Sequence, residues 1–126
     1  MHNNSDLVIT KWGAQMLGFK FPCSIGRAGI GRKDHEGDGI TPSGIWKIDF
    51  IMTRPDRVKT FNNTSIHIRD TWSDDPNDPK YNHLSKANKL YSYENLWRSD
   101  PLYNLIAVTN FNRQFTEPGL GSAIFL

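Results

Sequence analysis

Apolar residues in this chain recur at every second position more often than at helical spacing, and the runs they make are short. Leu7-Val8-Ile9-Thr10 predicts a strand, with Trp12-Gly13 as the turn after it. Phe19, Phe21, Cys23 and Ile25 fall on one face at period two, as in a half-buried strand. Pro22 cannot donate to a ladder, which places that strand at an edge or gives it a start. The glycine-rich stretch 26–44 has no helical period and reads as loop. Ile45–Ile51 then alternates, with Trp46, Ile48 and Phe50 together, and is the clearest strand. Ser65–Arg69 predicts a short strand, and Asp70–Asn82, polar and broken by Pro76 and Pro79, a surface loop. Ser92–Trp97 predicts a helix of one or two turns capped by Ser92. Leu102–Thr109 reads as a central strand and Gly119–Leu126 as the last element. The expected fold class is mainly β with little helix.

Composition narrows this picture. At 126 residues the chain is sized for a single domain, 1–126, and 37% hydrophobic residues suffice for a packed core. Four Trp and seven Phe favour a core of rings. The net charge is +2, with the basic residues scattered, so a nucleic-acid partner has little support. No apolar run is long enough for a membrane-spanning helix. The polar start Met1-His2-Asn3-Asn4-Ser5-Asp6 is unlike a signal peptide, which makes the cytoplasm the default location. A single cysteine excludes an internal disulfide and a thiolate-rich zinc site.

Candidate chemistry is sparse. A nucleophilic thiol needs a base and an electropositive setting; Cys23, on the face of Phe19, Phe21 and Ile25, is expected to be a core residue instead. His2, His35, His67 and His83 form no pair at metal-binding spacing. Asp70, Asp74, Asp75 and Asp78 suggest a calcium loop, but the central Gly and distal Glu are missing, so turn formation is the better reading. Gly26–Lys33 mixes glycine with basic residues in the manner of a phosphate cradle, without the Gly-Lys-Ser/Thr ending or a following helix. No cofactor and no metal is expected. Gly-Asp-Gly-Ile-Thr-Pro-Ser-Gly at 37–44 is more distinctive: a tight turn with Pro42 starting the return and Gly44 opening the next strand.

That last segment resembles the Thr-Pro-x-Gly loop of L,D-transpeptidase (YkuD-type) catalytic domains. The resemblance extends over Cys23–Ile30 before the loop, and Trp72–Asn82, Tyr93–Tyr103 and Gly119–Leu126 after it. The blocks stand in the family's order and span almost the whole chain. The resemblance implies a β-rich, sandwich- or barrel-like fold, and acyl transfer on bacterial cell-wall peptidoglycan. A cysteine thiolate attacks the stem-peptide carbonyl, a histidine acts as base and backbone N–H groups hold the oxyanion.

In the family the histidine directly follows the Gly-Ser-Ala-Ile-Phe-Leu strand, and the cysteine lies shortly beyond in a Ser/Thr-x-Gly-Cys motif. Neither matches a position in residues 1–126, so no catalytic residue is assigned, and Cys23, His67 and His83 cannot be promoted to the roles. The expectation is a C-terminally incomplete relative, inactive alone, with stem peptides as the partner and a separate chain as a possible source of the missing segment. A periplasmic or cell-wall location, which the family implies, conflicts with the polar N-terminus. The alternative is a non-catalytic peptidoglycan-binding or regulatory module, in which Trp46, Trp72 and Trp97 offer ring faces to sugars and Arg27 or Arg98 pairs with carboxylates. Core or loop anchoring is the competing role of the three Trp rings.

Overall fold

The computed structural model describes residues 3, 5–59 and 63–126, and its regular elements are all β-strands. His2 lies outside the described residues. Two compact units separate, Met1–Lys33 with Gly37–Gly44, and Asp34–Glu36 with Ile45–Leu126.

The first unit opens with an antiparallel meander of β1 (Val8–Thr10), β2 (Gly13–Met16) and β3 (Phe19–Phe21). Leu17 and Gly18 join β2 to β3 with φ of 52° and 80°. Two consecutive left-handed residues make the tight turn that matches strand twist. β3 ends at Phe21, where Pro22 removes the next ladder donor. The half-buried run from Phe19 to Ile25 is therefore corrected: Phe19 is 72% exposed, and Cys23 lies past the strand end and is exposed, not in a core. The glycine-rich stretch is loop as expected, apart from a two-residue parallel pair, β4 (Ile30–Gly31) and β5 (Thr41–Pro42).

In the second unit β6 (Ile48–Thr53) lies between β7 (Thr64–Ser65), parallel to it, and β11 (Leu105–Thr109), antiparallel. β6 begins three residues later than the pattern suggests, because Lys47 bonds Asn110 through its N–H and its carbonyl. β11 is central as expected. Its far side pairs with the last residues, Ala107 and Leu126 exchanging two bonds of 2.9 Å around a Val108–Phe125 bridge.

A second sheet runs β10 (Tyr93–Asn95), β8 (Asp70–Ser73) and β9 (Leu84–Lys86), all antiparallel. Two expectations fail here. Asp70–Ser73 is a fully buried central strand, not surface loop. Two of its polar side chains find partners: Asp70 accepts from the His67 N–H and the Lys86 ammonium, and the Ser73 hydroxyl donates to Asp78, while the buried Thr71 hydroxyl has none among the described residues. Tyr93–Asn95 is a strand paired with Ser73, Trp72 and Thr71, not a helix; tertiary pairing overrides a weak cap.

Met52, Ile66, Trp72, Leu96, Ile106 and Val108 form the core, drawing on both sheets of this unit in a sandwich-like arrangement. Each such side chain is worth about 1.5–3 kcal/mol when fully buried. Phe125 packs edge-on against Trp72 at 5.1 Å and Tyr103 at 5.9 Å. The fold is mainly β, as the sequence leads one to expect, and among the described residues the strands close no barrel.

Candidate functional site

The glycine-rich segment locks itself. The Thr41 hydroxyl accepts the Gly26 N–H at 2.7 Å, and the Thr41 N–H donates to Gly29 O at 2.9 Å. Ala28 N–H donates to Gly39 O and Ser43 N–H to Gly31 O. The approach at Gly26 leaves no room: a Cβ there would sit 2.1 Å from Gly39 O. Asp38 accepts from Lys33 Nζ at 2.6 Å and from the Ile40 N–H at 3.0 Å, and both members of this ion pair are 5% exposed. A buried pair of this kind fixes a conformation more than it adds stability. The backbone donors of Ala28 and Gly29 are spent inside the loop, which argues against Gly26–Lys33 as a phosphate cradle.

In the second unit a polar cluster fixes the Gly119–Leu126 segment. Glu36 donates its N–H to Gly119 O at 2.7 Å, and its carboxylate accepts from the Tyr81 hydroxyl at 2.8 Å and from the Ser122 hydroxyl. Burial, reinforced by the Glu36 carboxylate, pushes the Tyr81 phenol above its ordinary range. Asn82 is the hub. Its Oδ1 accepts from Trp72 Nε1 at 2.9 Å and from the Ala123 N–H at 3.0 Å, while its Nδ2 donates to the carbonyls of Phe111 and Asn112. Asn82 itself holds φ at 58°, a left-handed conformation Asn tolerates better than most residues. The backbone that leads into the Phe125 bridge is therefore placed by side chains from positions 36, 81 and 82.

A family model for the L,D-transpeptidase catalytic domain matches residues 4–126. The chain belongs to the L,D-transpeptidase family. No curated protein and no solved structure matches it. The resemblance seen in the Thr-Pro-x-Gly loop and its flanking blocks is thus supported over nearly the full sequence.

In this L,D-transpeptidase relative the sequence-derived candidates scatter. Cys23 is exposed beyond β3. His35 is exposed beside Asp34, His67 is exposed after β7, and the His83 ring contacts the Tyr81 carbonyl at 2.9 Å. Asp75 and Asp78 make turns as expected, accepting from the Asn77 and Lys80 N–H groups, whereas Asp70 lies in β8 and Asp74 accepts from the distant Ser92 hydroxyl.

Trp72 is fully buried, and Trp97 carries the Arg54 guanidinium 3.5 Å over its ring; the anchoring role is the one both occupy. Trp46 meets Phe111 edge-on at 5.0 Å and stays 41% exposed. Arg27 reaches the Gly37 carbonyl at 3.3 Å. Arg98 grips Asp100 with bonds of 2.9 and 2.5 Å and holds that carboxyl at about 2.

Sequence reasoning missed Glu36 and Asn82. Glu36 stands directly before the Gly-Asp-Gly turn, and a carboxylate opening such a turn was its available signal. Asn82, the last residue of a polar stretch, carried none.

Proposed function

We propose that residues 1–126 act within one peptidoglycan L,D-transpeptidase domain as the scaffold that presents the stem peptide, and that they perform no acyl transfer by themselves. The family match carries the reading. Cys23, the only cysteine in the sequence, supports its second half: it is exposed, and no base is bonded to it among the described residues. A thioester requires a thiolate beside a base and oxyanion donors. The stem peptide is the substrate class, and the ordered Gly119–Leu126 segment is the support for the histidine and the Ser/Thr-x-Gly-Cys stretch that follow such a strand in the family.

The test is a cross-linking assay with disaccharide tetrapeptides and an amine acceptor. Residues 1–126 are expected to give no product, and the same residues joined to a family segment bearing His and Ser/Thr-x-Gly-Cys are expected to give turnover. Turnover by residues 1–126 that disappears in Cys23→Ala would overturn the proposal.

A further inference from the structure

Trp12 stands out among the four Trp residues. It is 86% exposed, yet it is held in a defined turn. The Thr10 hydroxyl accepts the Trp12 N–H at 3.1 Å and donates to Gly13 O at 3.2 Å, tying the β1–β2 turn on which the ring stands. Gly13 is required there, since a Cβ would lie 2.9 Å from Phe21 O and φ is 130°. A large ring left in water on an ordered turn forfeits burial with no gain to folding.

Beside it the meander forms an open pocket of about 520 Å³, lined by Val8, Thr10, Trp12, Gln15, Lys20 and Phe21. The register sets Val8, Gln15 and Lys20 opposite one another across the three strands, so their side chains leave one face. Among the described residues the side chains of Gln15 and Lys20 make no hydrogen bond or ion pair. Lys11 Nζ sits 4.8 Å from the Trp12 ring centroid and adds a second cation.

We propose that this face of the meander binds the amino-sugar strand of peptidoglycan, a claim that rests on the reading of the chain as an L,D-transpeptidase scaffold. A pyranose ring presents axial C–H bonds that pack on an indole face, and its hydroxyl and acetamido groups suit an amide and an ammonium. The pocket has the volume of a small-ligand site, about 300–1,000 Å³. The two lysines complement a polymer that carries carboxylates beside its sugars. Trp12 supplies the stacking surface, and Gln15 and Lys20 the orientation.

The experiment uses the full 126-residue chain with two probes, N-acetylchitotetraose, which has sugars and no peptide, and intact peptidoglycan. Amide and indole N–H shifts are followed with the first and sedimentation with the second. Chitotetraose is expected to move the signals of Trp12, Gln15 and Lys20, with Kd raised at least tenfold in Trp12→Ala and largely restored in Trp12→Phe, which keeps a ring face. No shifts on the meander, with sedimentation intact, would overturn the glycan site and leave the scaffold reading standing. Shifts at Trp12 without sedimentation would support the glycan site and count against that reading.

Discussion

Among its described residues, the unit Met1–Lys33 with Gly37–Gly44 buries only Ala14 and Pro42 outright, while the unit Asp34–Glu36 with Ile45–Leu126 buries Met52, Ile66, Trp72, Leu96, Ile106 and Val108 around a shared ring cluster. The first is held by the ladder of its meander, backbone bonds within the glycine-rich loop, one hydroxyl cap and one buried ion pair. The second is held by apolar contact, with polar groups used sparingly to place individual segments. A loop can be made specific with hardly any core when several of its backbone donors are bonded within it, but such a loop fails at single backbone positions. A core spreads its dependence over many contacts and fails at large side chains.

The sharpest way to break the second unit is at its largest buried ring. Trp72→Ala is expected to cost about 3–5 kcal/mol, read as a fall in the urea unfolding midpoint. An effect below 1 kcal/mol would mean that the ring cluster does not hold this unit. Asn82→Ala comes next. It takes the amide away from the Trp72 indole N–H, the Ala123 N–H and two carbonyls; with water filling the polar space left by the side chain, the net cost is expected at about 1–3 kcal/mol. It should also speed hydrogen exchange at Ala123 more than at Ile106.

Gly26→Ala tests the first unit. A Cβ 2.1 Å from Gly39 O forces the loop open, at a cost typical of overpacking, about 1–3 kcal/mol. Proteolysis between 26 and 44 should accelerate while the near-ultraviolet signal of the ring cluster stays unchanged. Loss of that signal would show that the two modes of stabilisation are not separable.

A pH series sharpens the contrast, because the groups concerned lie in the second unit. Burial first, and Glu36 and Glu94 second, raise the phenols of Tyr81 and Tyr103. The folded state thus binds these protons more tightly than the unfolded chain. The stability they contribute is complete below the ordinary phenol value of about 10 and is lost as pH rises from there toward the folded values. The unfolding midpoint should hold steady up to about pH 9 and decline above about pH 10. Glu36→Gln removes the charge beside Tyr81, so its phenolate absorbance should appear at lower pH, with burial still keeping it above ordinary. The smallest effect is expected at Trp12→Ala, within about 0.5 kcal/mol, since a ring 86% exposed contributes little to folding.

The two units also differ in how far the sequence disclosed them. Period-two alternation located β6, and short apolar runs located β1 and β11. It misplaced Cys23, since Phe19 and Phe21 alternate correctly yet lie on a sheet with little to pack against. It hid β8, because Asp70, Thr71 and Ser73 look like loop residues until β9, with Lys86, and β10 are brought alongside from later in the chain. Asn82 was illegible for the same reason: its four bonds run to Trp72, Phe111, Asn112 and Ala123. The Thr-Pro-x-Gly loop was legible because its requirements are local, resting on glycines and a hydroxyl within a short stretch.

The turn at Leu17 and Gly18 offers a handle for engineering. Leu17 is 57% exposed, and a Cβ on Gly18 would meet nothing within 4 Å, so the tip of this hairpin is bare. Pairing on either side, Met16 with Phe19 and Gln15 with Lys20, keeps the ends together whatever joins them. Lengthening a short loop costs little, about 0.6 kcal/mol for each doubling, and exposed tips are where inserted sequence is best tolerated. A fluorophore-bearing peptide or an epitope spliced between Leu17 and Gly18 would therefore ride on the hairpin at the end of β2 away from the Trp12 turn, marking the protein without covering that face.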